Sequence, residues 1–185
     1  MRKLVITQNA TVDGAIEMLG DWFDPQLADE DLVAETQRQD AEADALLVGR
    51  RTFEDFRSYW PNQSDDATGV TAYLNKVAKY VVSSTMTDPE WENSTVLAGD
   101  PVEQTRKLKS QSGKDIVLTG SISLAHALIA AGLVDEYRLF VYPVVLGRGA
   151  RLFADATTVR DLRLAATQPF RSGVVLLRYE AARPA

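Results

Sequence analysis

The chain has 185 residues, 45% of them hydrophobic and 25% charged, the balance of a globular protein long enough to bury a sizeable core. With no cysteine and a single histidine it carries neither disulfides, thiolate sites nor a histidine-rich centre, so no metal is expected. A net charge of −6 argues against nucleic acid as the main partner, because a phosphate backbone requires a net basic face.

Leu4–Thr7 predicts a first strand, and the apolar run it belongs to is too short for a signal peptide. No uninterrupted apolar stretch approaches the ~20 residues of a membrane helix, so a cytoplasmic protein without membrane association is expected. Asp13-Gly14 punctuates the following loop. Residues 15–28, with Trp22, Phe23 and Pro25, read as a long loop able to carry function. From Asp29 to Ala43 the chain is polar and helix-forming; its first acidic residues complement the helix dipole, and its acidic set reads as a solvated face.

A buried strand over 45–48 leads into Gly49, which is expected to let the backbone turn sharply, and a helix begins at Phe53. Residues 61–72 read as loop. Tyr80–Ser84 and Thr95–Leu97 predict strands, and Val102–Lys109 a helix. Asp115–Thr119 is another buried strand, ended by Gly120-Ser121, and Leu124–Ala131 is an apolar helix. Glu136–Val145 predicts a long strand interrupted at Pro143, and Asp161–Thr167 with Gly173–Tyr179 a closing antiparallel pair. Strands alternating with helices imply one α/β domain over 1–185, with a mostly parallel central sheet, an antiparallel C-terminal strand pair and helices on both faces.

Three strand ends carry the residues that suit a phosphate: Gly49-Arg50-Arg51-Thr52, Ser83-Ser84 and Thr119-Gly120-Ser121. Helix N-termini offer free N–H groups and a partial positive charge, and arginines add fork-shaped contacts to phosphate oxygens. Together the three turns suggest a dinucleotide cradle; equally, glycine and serine end strands well without any ligand. Gly147-Arg148-Gly149 is no Rossmann fingerprint, since Leu152 stands where a third Gly or Ala belongs. His126 reads as a helix-surface or packing residue, with no nucleophile elbow beside Ser123, which disfavours hydrolase chemistry. Asp13 and Glu17 follow the first strand and could carry a proton, and Trp22 could wall a planar ring or simply cover the core.

In order and spacing, several runs resemble the dihydrofolate reductase-like superfamily, and within it the RibD C-terminal reductase domain family. They are Thr11-Val12-Asp13-Gly14, Asp44–Glu54, Lys79–Ser84, Asp115–Ser121, and Gly132–Leu139 continuing through Pro143–Phe153. The resemblance covers nearly the whole chain and implies NADPH as cofactor and, by the habits of this fold, a homodimer. It implies that Gly49, Arg50, Arg51 and Thr52 hold the pyrophosphate and the adenosine 2′-phosphate, and that Ser83 and Ser84 lie near the adenosine half. Thr119, Gly120, Ser121, Ile122 and Ser123 would wrap the pyrophosphate, around a non-proline cis peptide. Where folate reductases carry a carboxylate on the first helix, counting back from Gly49 arrives at Val33, with Asp31 and Glu35 as neighbours, so dihydrofolate is not the expected substrate. No deaminase segment precedes these runs, so the bifunctional riboflavin enzyme is not expected either.

The expected activity is hydride transfer from NADPH to a small heterocyclic or sugar-like carbonyl or imine, of the riboflavin-pathway aminouracil reductase type. Asp13 and Glu17 are its catalytic candidates, and Asp13 and Trp22 its substrate contacts. The alternative is a non-catalytic protein that senses NADP through the same cradle.

Overall fold

The computed structural model describes residues 1–25, 29–155, 157–159 and 161–182, so residues 26–28 of the loop expected over 15–28 lie outside the described residues. In chain order it contains β1 (Leu4–Thr11), α1 (Glu30–Glu42), β2 (Ala43–Gly49), α2 (Arg50–Tyr59) and a 3-10 turn at Trp60–Asn62. Then come α3 (Val70–Lys76), β3 (Ala78–Val82), β4 (Ser94–Leu97), α4 (Pro101–Ser110), β5 (Asp115–Leu118) and α5 (Ile122–Ala130). The chain closes with β6 (Glu136–Tyr142), β7 (Leu162–Pro169) and β8 (Val175–Ala181).

The strands form one eight-stranded sheet in the order β4-β3-β2-β5-β1-β6-β8-β7. Neighbours from β4 to β6 are parallel, whereas β8 runs antiparallel to both β6 and β7. Parallel strands covered on both faces read as unbroken apolar runs, and β2 is the clearest case. Its Ala45 and Leu47 enter the core shared with Leu4, Ile6, Leu118 and Leu128, while Leu46 and Val48 enter the opposite core with Phe53, Trp60, Leu74 and Val81. A third cluster packs Phe140, Tyr142, Phe170 and Leu176 against Trp22, Phe23 and Leu32. Among the described residues no helix is long and apolar enough to cross a membrane.

Several boundaries differ from expectation, each for a local reason. α2 starts at Arg50 rather than Phe53, so both arginines are already helical. Part of the loop expected over 61–72 is α3, whose start is held by the Asp66 carboxylate accepting from the backbone N–H groups of Thr68 (2.9 Å) and Thr71 (2.7 Å). β6 ends at Tyr142, because Pro143 has no N–H to continue the ladder.

The largest correction concerns α1. Asp29 caps it, accepting from Leu32 N at 3.3 Å, but the polar helix is not a solvated face. Glu35 and Gln39 are buried. The Glu35 carboxylate is neutralised in place by Arg38, at 2.7 and 2.8 Å, and also accepts from Gln39 Nε2 at 2.7 Å. A buried carboxylate is tolerable only with such partners.

Candidate functional site

In open α/β sheets, ligands collect beyond the carboxyl ends of the strands. Here β2 and β5 are hydrogen-bonded neighbours, so their C-terminal turns, distant in sequence, meet in space. Ser121 Oγ accepts from Gly49 N at 2.8 Å, and Ser121 N donates to Thr52 Oγ1 at 2.9 Å. From β1, Gln8 Oε1 accepts from Gly120 N at 3.1 Å. Both runs, Gly49–Thr52 and Thr119–Ser123, line one cavity of about 1100 Å³, together with Gln8, Asn9 and Glu17.

The glycines do different work from that expected. Gly49 is extended (φ −79°, ψ 162°), a conformation open to any residue, and a Cβ there would sit 3.7 Å from Ser121 Oγ, an ordinary contact. The sharp turn belongs to Gly120, at φ +59°, where a Cβ would lie 2.8 Å from Thr52 Cγ2. Ser121 follows in the same left-handed region (φ 42°, ψ 52°). Two successive left-handed residues make this turn. All peptide bonds among the described residues are trans, in contrast to the cis bond that the resemblance implied.

Neither α2 nor α5 has a side-chain cap, so the first N–H groups of each helix are open to an anion. Arg50 and Arg51 are exposed at the first turn of α2; Arg50 lies 4.0 Å from Glu54, and Arg51 makes no ion pair among the described residues. Open amides, a close backbone approach and two exposed guanidinium groups suit a dinucleotide phosphate chain with an extra phosphate.

The structure does not bring Ser83, Ser84, Asp13 or Trp22 to this wall. The buried Ser83 hydroxyl caps its own turn, accepting from Thr85 N (3.2 Å) and Met86 N (3.0 Å), while Ser84 is exposed at the end of β3. Asp13 faces the loop after β6: its carboxylate accepts from Thr11 Oγ1 (2.7 Å), Gly147 N (2.8 Å) and Leu146 N (3.2 Å). Those bonds, the Thr11 hydroxyl foremost, hold its pKa down to about 2. Trp22 packs edge-on to Tyr142, with ring centroids 5.4 Å apart, and donates from Nε1 to the Glu17 carbonyl at 3.3 Å. It covers the third apolar cluster. Glu17 does line the cavity, with Oε2 accepting from Ala150 N at 3.0 Å. His126 donates from Nε2 to the Arg151 carbonyl oxygen at 2.8 Å.

Sequence reasoning missed the wall that α1 supplies. Leu32, Val33, Thr36, Gln39 and Asp40 all line the cavity. Their spacing of three, four and seven residues is the signal that puts them on one helix face. Val33, the position reached by the count from Gly49, lies on that wall.

Comparison with known proteins gives the family and the fold. The RibD C-terminal domain family matches residues 2–176. The chain belongs to that family. The uncharacterised protein YyaP of Bacillus subtilis (strain 168) is 35% identical over 186 residues, covering 96% of this chain and 94% of that one. Among solved structures, a pyrimidine reductase-like protein of Corynebacterium diphtheriae superposes with a TM-score of 0.66 at 18% identity, covering 99% of this chain and 93% of that one. The dihydrofolate reductase of Enterococcus faecalis, complexed with NADP(H), superposes with a TM-score of 0.68 at 16% identity, covering 98% and 97%. The fold is therefore dihydrofolate reductase-like.

Proposed function

We propose that the protein is an NADPH-dependent reductase that transfers hydride to a carbonyl or imine of a small heterocyclic or sugar-like substrate. The observation that carries this reading is the pair of interlocked turns, Gly49–Thr52 and Thr119–Ser123, opening on one cavity large enough for a dinucleotide and a second molecule. Membership of the RibD C-terminal domain family supports an oxidoreductase, and the riboflavin-pathway aminouracil reduction is the most specific reaction that it suggests.

In this reading the N-termini of α2 and α5 hold the pyrophosphate, and Arg50 and Arg51 take the 2′-phosphate that distinguishes NADPH from NADH. NADPH supplies the hydride. Reduction of C=O or C=N adds that hydride to carbon and a proton to the heteroatom. Glu17 lines the cavity with one carboxylate oxygen tied to Ala150 N, which fixes its orientation and leaves the other free to relay that proton. Asp13 stays ionised at neutral pH and serves to hold the loop at Leu146 and Gly147.

NADPH fluorescence titration followed by turnover across a panel of cyclic imines and carbonyls tests the reading. Micromolar NADPH binding with a clear preference over NADH, and oxidation dependent on a panel member, is the expected result. Tight binding without turnover on any of them would favour an NADP-sensing protein, and equal affinity for NADH would remove the arginine–phosphate assignment.

A further inference from the structure

The cavity does not stop at the cofactor turns. It continues beneath α1, past the paired residues Leu46 and Val117, to Asp40 and Tyr73. α1 joins β2 directly at Ala43, so Asp40 stands near the N-terminal edge of the sheet, whereas Gly49 is at the other edge, about 20 Å along a strand of that length. Leu46, Leu74 and Val117 make the intervening wall apolar.

The far end is polar and incomplete. The Asp40 carboxylate has no hydrogen bond or ion pair among the described residues. The Tyr73 hydroxyl is buried without a hydrogen-bond partner. The two groups share one field, since the charge of Asp40 helps to raise the pKa of Tyr73, after burial. Buried polar groups are ordinarily paired, and the unpaired Tyr73 hydroxyl beside the half-buried, unpartnered Asp40 marks where a ligand group belongs on the cavity wall.

The charges around Asp40 define that group. On α1 are Glu35, already held by Arg38, and Glu42; Asp44 is the second residue of β2, Asp115 begins β5, and Glu136 and Arg138 lie on β6. Arg138 is the cation that bears on Asp40, but it is already ringed by Glu136 (2.7 Å), Glu42 (3.1 Å) and Asp115 (3.6 Å). Its remaining Nη1 is buried with no acceptor, so Arg138 does not close on Asp40. Burial pushes the Asp40 carboxyl up to about 7, against the lowering effect of the Arg138 charge.

We infer that Asp40 and Tyr73 form a distal subsite for a basic amino or amidine group, so that the substrate is an elongated molecule with its reducible bond at the cofactor turns and a cationic, hydrogen-bond-donating end beneath α1. Asp40 accepts from that group and Tyr73 donates or accepts beside it. An anionic terminus such as a phosphate is disfavoured at this end by the surrounding carboxylates. The inference rests on the reading of the cavity as the substrate site.

Benzamidine, with benzoate as a matched anion, probes the subsite in the full-length protein by isothermal titration. Benzamidine should bind and benzoate should not. Asp40→Asn should weaken benzamidine by about ten-fold or more, the scale of a lost charge-assisted contact, and Tyr73→Phe by a few-fold. Wild-type affinity should rise from about pH 6 to pH 8 as Asp40 ionises, and the Asn variant should lose that slope. NADPH affinity, measured on the same samples, should be unchanged, so a failure of the cofactor reading registers separately from a failure of the subsite. Thermal melts monitor folding; a merely structural Asp40 would give a stabilised Asn variant with benzamidine binding intact. That outcome, or equal binding of benzoate, overturns the inference.

Discussion

Gly49 donates its backbone N–H to the hydroxyl of Ser121, 72 residues further along the chain, at 2.8 Å. The acceptor sits on a residue that is itself in the left-handed region, at φ 42°. Replacing Ser121 by Ala leaves that strain and deprives the Gly49 amide of its acceptor, a loss of about 1–2 kcal/mol in stability. Replacing it by Gly loses the same bond but relieves a strain of about 1 kcal/mol. The Gly variant should therefore be the more stable of the two in urea unfolding, and the reverse order would contradict the left-handed turn.

The two glycines of the cradle should respond differently to an added methyl group. At Gly120 a Cβ meets Thr52 Cγ2 at 2.8 Å in a backbone conformation that alanine resists, so Gly120→Ala should cost about 1–3 kcal/mol. Gly49→Ala places its Cβ at 3.7 Å in extended backbone and should leave the unfolding midpoint nearly unchanged. Paired denaturant melts of the two variants check the contrast.

Arg50→Ala and Arg51→Ala should each weaken NADPH by about 1–3 kcal/mol, the scale of a charge-assisted hydrogen bond. NADH, without the 2′-phosphate, should be affected less. Fluorescence titration with both nucleotides reads the difference, and an equal loss for the two would place the arginines elsewhere on the ligand.

Asp13 ties the loop after β1 to Leu146 and Gly147 through a carboxyl held at about 2 against 3.8 for the free group. A depressed acid contributes stability above its unfolded pKa and loses it as pH falls through the folded value. The gap in melting temperature between wild type and Asp13→Asn should thus be full at neutral pH, narrow below about pH 4 and vanish near pH 2. A gap that persists at the acid end would rule out the carboxylate as its source.

β2, β3 and β5 were plain in the sequence because each is a short apolar run followed by glycine, serine or threonine, and the same punctuation marked the two turns that line the cavity. What stayed hidden had no local signal. Asp13 looks like an ordinary turn residue, since its partners Leu146 and Gly147 lie more than a hundred residues away. The inward face of α1 was obscured because Glu35 and Gln39 are polar, and their bond to each other and the Arg38 fork on Glu35 make burial tolerable. α3 was missed for a different reason: Val70, Thr71 and Tyr73 are weak helix formers, and the capping carboxylate of Asp66 precedes them by several residues. Ser83 and Ser84 carried the right chemistry at a strand end, yet the Ser83 hydroxyl is consumed by its own turn.

The position of β5 has a consequence for how the chain assembles. β1 and β2 are made early, but they do not pair with each other; the slot between them stays open until residues 115–118 arrive. Both halves of the cradle, Gly49 and Gly120, come together only when that strand slides home. Long-range parallel pairings of this kind form slowly, and a ligand that favours the closed form draws the equilibrium toward it. A ligand that spans the two turns would thus act as a latch across the keystone of the sheet, adding its binding free energy to the closed form.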